Sequence, residues 1–319
     1  MRARRIRLAT FAALITASAA HAQPYPAKPV RIVVGFPAGG AVDILARSLG
    51  AQLSQAFGQQ FVIDNRGGAS SIIGADIAAK SPPDGYTLLM VSGAHAVNPS
   101  LYKKLPYDTE RDFAPISLVA ASSYILVVHP SLPVRSVREL ITFAKQHRGQ
   151  MNYASSGNGG LPHLSGELFK VKAGIEMTHI PYKGSAAVTT AVLAGQVPIM
   201  FSNLISTMPQ VQAGKLRVIA VSSPRRLQGF AEAPTWKEQG INSEYASWRG
   251  MMGPRGMSAA QIAYWEDVFA KLTRTDEWRQ DVEKNLWEVT YKGSRDTIRE
   301  MEQRYDDFKR ILVELELAK

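Results

Sequence analysis

The stretch Val30-Arg31-Ile32-Val33-Val34-Gly35-Phe36-Pro37-Ala38-Gly39-Gly40-Ala41-Val42-Asp43 decides the fold class. Residues 30–36 are a short apolar run rich in β-branched side chains, the pattern of a buried strand. Pro37-Ala38-Gly39-Gly40 is a turn, and beyond it Val42, Leu45, Ala46, Leu49, Leu53 and Ala56 recur at helical spacing. A strand, a glycine turn and a helix start together make an anion site, because unpaired N–H groups and the positive end of the helix dipole face into the turn. Glycines at 39 and 40 let a ligand come close to the backbone. The same residues also fit an ordinary βα turn. They contain neither G-x-G-x-x-G nor the phosphate-loop lysine, so nucleotide binding is not indicated.

The pattern repeats outward from this stretch. Residues 61–63 read as a second strand, followed by the turn 64–68 and a helix through Ile72, Ile73 and Ile77. Pro82-Pro83-Asp84-Gly85 stops that helix, and residues 86–91 form a third strand ending in the small, polar Ser92-Gly93-Ala94-His95. Residues 113–120 and 124–129 read as two extended runs broken at Ser122-Ser123. Ser136-x-x-Glu139 is a capping box opening a helix to His147. A strand at 151–155 leads into Ser156-Gly157-Asn158-Gly159-Gly160 and a helix through Leu161, Leu164 and Leu168. A strand at 177–181 leads into Tyr182-Lys183-Gly184 and a helix through Val188 and Val192. Strands at 196–201 and 216–221 flank a helix around Met208, and residues 245–252 are again extended. After a second capping box, Ser258-x-x-Gln261, the chain reads as helical. Its last helix carries Ile298, Met301, Tyr305, Phe308, Leu312 and Leu315 three and four apart. That stripe is short for a coiled coil, so packing on the body of the protein is expected.

Alternating strands and helices predict an α/β fold with parallel sheets. The runs at 113–129 and 245–252 are candidates for two strands crossing between domains, which gives one domain of residues 23–121 and 248–319 and another of 122–247. In such sheets ligands sit beyond the strand C-termini. The small or glycine-rich turns at 36–40, 92–95, 155–160 and 181–184 all fall there.

The first 22 of the 319 residues have the form of a secretory signal peptide: a basic start with four arginines, a short apolar stretch, and Ala20-His21-Ala22 before the expected cleavage point. Residues 23–319 are therefore expected to be exported to the periplasm. The apolar stretch is too short to span a bilayer. With no cysteine in the chain, a lipoprotein anchor, a disulfide and a thiolate metal site are not expected. Losing four arginines and no acid takes the formal charge from +10 to +6. That balance helps attract anions, but no run of basic residues with interleaved aromatics points to nucleic acid.

The chemistry for an enzyme is thin. There is no G-x-S-x-G and no H-E-x-x-H, and the histidines are scattered. Asp43 reads as a helix-start acid, or as a brace for the Gly39-Gly40 turn. His163 follows the glycine turn, where it is either a general base beside Ser155 or Ser156 or a structural or ligand-contacting residue. Lys183 either pairs with a ligand carboxylate or is solvated, and Trp248 reads as hinge or core packing. Asn203 either bonds a ligand or caps the next helix. The turns are rich in donors and poor in bases, which suits reversible anion binding. No catalytic residue, metal or cofactor is expected.

Several short motifs occur in a fixed order: Tyr25-Pro26-x-Lys28-Pro29, Phe36-Pro37-Ala38-Gly39-Gly40-x-x-Asp43, Asn65-Arg66-x-Gly68, Pro83-Asp84-Gly85-Tyr86, Asp112-Phe113-x-Pro115-Ile116, Ser155-Ser156-Gly157-x-Gly159 with His163-Leu164, and Pro181-Tyr182-Lys183-Gly184. In this set the chain resembles the Bug-type periplasmic receptors of tripartite tricarboxylate transporters. The resemblance implies a type II periplasmic binding fold, with two α/β domains joined by two crossing strands and closing on a small carboxylate. It implies that backbone groups and waters of the 36–40 turn hold the carboxylate. The loops containing Ser92, Gly93 and His95, then Ser155 to Gly159, then Tyr182 to Gly184, complete the cleft. It also implies a monomer that delivers its ligand to membrane subunits. A receptor for a membrane sensor kinase is the alternative, and a hydrolase on the same fold is a weaker one. The family often has an acid in the segment matching Thr189-Thr190 and after Gln196-Val197, where this chain has Pro198.

Overall fold

The computed structural model describes residues 25–223, 225–227, 230–239, 246–284 and 287–314; the leader at 1–22, Tyr245 and Leu315 lie outside the described residues. Three parallel strands open the chain: β1 (Val30–Val34) lies between β2 (Phe61–Asn65) and β3 (Thr87–Ser92). Val30, Ile32, Val33 and Val34 are fully buried, as the β-branched run requires. Helix α1 (Ala41–Phe57) follows the glycine turn and lays Leu45, Leu49 and Leu53 on the sheet. Gly58 ends it in the left-handed region and returns its amide to the Ser54 carbonyl. Helix α2 (Ile72–Ala79) leads to β3, and helix α3 (Ala94–Leu101) follows. Residues 92–95, read as a turn, therefore run straight into a helix, which Pro99 had disguised in the sequence.

The next strand corrects a second reading. β4 (Phe113–Val128) is one strand of 16 residues, not two runs broken at Ser122-Ser123. Its first part pairs antiparallel with β9 (Ala246–Pro254) and β10 (Trp287–Lys292). Its second part pairs antiparallel with β7 (Ile199–Asn203) and β8 (Arg217–Val221). β5 (Asn152–Ser155) lies parallel to β7 and to β6 (Thr178–Pro181). The order is β2-β1-β3-β9-β4-β7-β5-β6, with β8 and β10 also paired to β4. The sheets are thus parallel at their outer strands and antiparallel where the chain crosses. β4 belongs to both lobes, and Ala246 of β9 stands opposite Ser123, at the point of passage. β10 lies in a segment read as wholly helical.

Helices α4 (Val137–Gln146), α5 (Leu161–Ala173), α6 (Ser185–Leu193) and α7 (Leu204–Gln212) cover the second sheet. Helices α8 (Ala259–Leu272), α9 (Asp276–Lys284) and α10 (Ser294–Glu314) return to the first. The α8 capping box is reciprocal between Ser258 and Gln261. In α4, Ser136 accepts the Glu139 amide, but the Glu139 carboxylate takes the Arg135 amide one residue upstream. On α10, Met301, Phe308 and Leu312 are buried in the core and Tyr305 packs against it, so this part of the stripe lies on the body of the protein, while Ile298 is exposed. Among the described residues, no helix is long and apolar enough to cross a membrane.

The first lobe closes around Trp265, which is fully buried among Phe57, Phe61 and Phe269. Its indole N–H donates to the Tyr25 hydroxyl at 3.0 Å. Replacing Trp265 with Ala removes this ring and its bond, and we expect a loss of about 4 kcal/mol in urea unfolding. A loss below about 1 kcal/mol would show that the ring is not the centre of this core.

Candidate functional site

A cavity of about 60 Å³ lies between the lobes. Phe36, Pro37, Ala38, Gly40, Ala41, Val42, Ser92 and Ala94 line it from the first lobe. Ser156, Gly160, Leu161, Pro162, Lys183, Gly184, Ser185, Ala186 and Asn203 line it from the second, and Tyr124 and Arg249 come from the crossing strands. No aspartate or glutamate is among these residues.

Five helices begin at this wall: α1 at Gly40, α3 at Gly93, α5 at Gly160, α6 at Gly184 and α7 at Asn203. None of the five N-cap residues caps its helix with a side chain, although at α3 Ser92 Oγ accepts the Ala94 amide at 3.4 Å; of the helices that start elsewhere, α4 and α8 are capped by Ser136 and Ser258, while α2 is not. The first amides of a helix have no partner within it. Here they converge on one cavity with the positive ends of five dipoles behind them. Such a site attracts an anion, and among the described residues that line it no acid would repel one.

The turn at the head of α1 is held from behind. Asp43 is buried, and its Oδ2 accepts the Gly39 amide at 2.8 Å and Arg47 Nε at 2.9 Å. Arg47 also donates to Asn65 Oδ1 at 3.0 Å, and Asn65 Nδ2 donates to the Phe36 carbonyl at 3.0 Å. Burial opposes ionisation of Asp43, but the bonds from Arg47, Gly39 and Asn65 outweigh it and lower its pKa. Asp43 is therefore a brace and does not face the cavity. Gly39 also stands back, its amide already spent on Asp43, so Gly40, Ala41 and Val42 carry the open amides.

Of the expected site residues, Phe36, Pro37, Ala38, Gly40, Ser92, Ser156, Lys183, Gly184 and Asn203 reach the cavity wall. The others do not. Gly93 makes room for Leu161 of the opposite lobe, whose Cδ1 would lie 2.3 Å from a Cβ there. His95 turns into the core, stacked on Tyr107 and edge-on to Phe113, and burial pushes its pKa down to about 4. Tyr182 gives its amide to the Ser155 carbonyl at 2.9 Å. Gly157 and Gly159 shape the second glycine turn, with the Gly157 amide on Ser155 Oγ at 3.3 Å and the Gly159 amide on His163 Nδ1 at 3.2 Å. Asn203 makes no side-chain cap of α7, and its Oδ1 accepts the Ser122 hydroxyl at 3.1 Å.

The serine–histidine pair an enzyme would need is not formed as expected. Ser155 lies 2.6 Å from His179 Nε2, not beside His163, and it is fully buried away from the cavity. The His163 and His179 rings stack 4.1 Å apart. Burial keeps both largely neutral, with His179 pushed down to about 4. Nearby, Glu167 accepts Tyr153 Oη at 2.6 Å and Lys170 Nζ at 2.7 Å. This network supports the turn at 156–160. Among the described residues, no group of acids and histidines could hold a metal.

Sequence reasoning missed Arg249 and Tyr124. Arg249 is 3% exposed, and its guanidinium sits 5.1 Å from the Trp287 ring and donates to the Trp248 carbonyl at 2.8 Å. Burial lowers its pKa, and its bond to the Tyr124 side chain opposes that. A charged residue inside the apolar run Trp248-Arg249-Gly250-Met251-Met252 was the available signal.

Two α/β lobes, a strand shared by both and an anion-seeking cavity between them define a two-domain periplasmic binding protein. More narrowly, the chain belongs to the Tripartite tricarboxylate transporter family receptor family, whose profile matches residues 45–317. It is 37% identical over 238 residues to Protein BugT of Bordetella pertussis, covering 74% of this chain and 73% of that protein. The solved structure of an R. palustris protein with adipate is 35% identical, with a TM-score of 0.89, and the match covers 92% of this chain and 99% of that one. The periplasmic binding protein BugD is 28% identical, with a TM-score of 0.86, over 92% of this chain and all (100%) of that one. The family and these neighbours are solute receptors, not enzymes.

The two turn glycines differ in a way that can be measured. Gly39 has φ +78°, a left-handed conformation, while Gly40 has φ −83° and only the Pro37 carbonyl within 4 Å of an added Cβ, at 3.5 Å. We expect Gly39→Ala to cost about 1 kcal/mol of stability and Gly40→Ala to cost under about 0.5 kcal/mol. Gly40→Val should keep the fold by circular dichroism yet weaken carboxylate binding by on the order of 2 kcal/mol. Normal binding by that variant in titration calorimetry would refute the role of the Gly40 amide.

Proposed function

We propose that this chain is an exported, monomeric periplasmic receptor. It holds a small carboxylate between its lobes and delivers it to the membrane subunits of a tripartite tricarboxylate transporter. The observation that carries this reading is the convergence of five helix starts, none capped by the side chain of its N-cap residue, on a cavity wall that has no acidic side chain among the described residues. The relative solved with adipate supports the ligand class, and the family supports the transporter partner. In this reading residues 23–121 with 248–319 form one domain and 122–247 the other, and the ligand closes them by bending at β4 and β9. The buried Ser155–His179 pair is structural, so the ligand leaves unchanged.

The test is a thermal and chemical stability screen of residues 23–319 against mono-, di- and tricarboxylates, with amines of similar size as controls. A true ligand at 100 times its dissociation constant should add about 2.7 kcal/mol of stability. Stabilisation by amines, or by no carboxylate in the panel, would contradict the reading.

A further inference from the structure

The helix starts account for one anionic group of a ligand. Arg249 is a separate feature. It lies on β9, paired with Ser92 of β3 and Ala120 of β4, where the chain passes between the lobes. It lines the cavity although it is almost fully buried. Its guanidinium is fixed in orientation by the Trp287 ring, the Trp248 carbonyl and the Tyr124 side chain. A planar donor fork held in this way recognises a carboxylate with little further loss of conformational freedom. The other cation at the wall, Lys183, is on an exposed loop, where a charge is well solvated and screened.

We infer that Arg249 sets the charge of the ligand: it receives a second carboxylate, so that the cleft selects dianions over monoanions of the same length. This rests on the carboxylate reading above. The helix starts and Arg249 belong to different elements, so the two carboxylates meet two kinds of donor, backbone amides at one end and a guanidinium at the other. A monoanion would set an apolar end against a buried charge and give it no carboxylate, which is unfavourable. A dianion adds a charge-assisted bond there.

The experiment is titration calorimetry of the full mature chain with α,ω-dicarboxylates of four to seven carbons, each paired with the monocarboxylate of equal length. For the best pair we expect the diacid to bind on the order of 100-fold more tightly. Arg249→Gln should bring that ratio below about tenfold, by weakening the diacid more than the monoacid. Arg249→Lys should keep part of the preference, and Lys183→Ala most of it. A ratio near one in the unmodified protein overturns the inference and leaves the carboxylate reading standing. Binding by no acid of either kind overturns both. Equal loss of diacid and monoacid in Arg249→Gln would mean a packing role only, and loss of the ratio in Lys183→Ala alone would move the second anchor to Lys183. If Arg249→Gln fails to fold by circular dichroism, the unmodified protein and Arg249→Lys decide the matter.

Discussion

A helix that begins inside a protein leaves amide groups that must find an acceptor or stay unsatisfied at a cost. In this chain that constraint arises five times around one cavity, and no N-cap side chain relieves it; only at α3 does a neighbouring side chain, Ser92, take an amide. The arrangement explains why the loops there are built from Gly, Ala and Ser. A larger side chain would fill the space the ligand needs. It also explains why the acids near the site point elsewhere: Asp43 is turned back onto Gly39 and Arg47, and Glu167 onto Tyr153 and Lys170.

The donors are useful only if both lobes hold them in place. In the first lobe the chain of bonds from Asp43 through Arg47 and Asn65 to the Phe36 carbonyl fixes the turn before any ligand arrives. In the second, His163 takes the Gly159 amide, and Ser155 is tied to His179. The lobes then meet around the cavity: Ser70 Oγ donates to the Asn158 carbonyl at 2.6 Å, Leu161 fills the space beside Gly93, and Pro37 lies against Gly184. β4 passes unbroken through both sheets, so closure has a continuous backbone to bend.

Much of this was legible in the sequence because it is local. The β-branched run, the glycine turn and the apolar stripe of α1 are adjacent, and periodicity alone places the turn at a strand C-terminus. What was not legible depends on tertiary placement. Arg249 stands out by its charge within an apolar run, but only the assembled sheet shows that it reaches the cleft. Ser155 finds His179 because β5 and β6 are parallel neighbours, a contact 24 residues apart with no sequence signature. His95 followed a polar strand end and so read as a loop residue, but α3 carries it into the core. The strand Trp287–Lys292 is flanked by helices, and its short alternation was lost among them.

Everything above depends on backbone amides at helix starts holding the carboxylate. The most direct measurement is an amide ¹H–¹⁵N titration with the best carboxylate ligand. The amides of Gly40, Ala41 and Val42 should move together and saturate at the calorimetric dissociation constant. Saturation with those amides unmoved, and shifts confined to the side chains of Lys183 and Arg249, would contradict it and replace the backbone site with one anchored by cations alone.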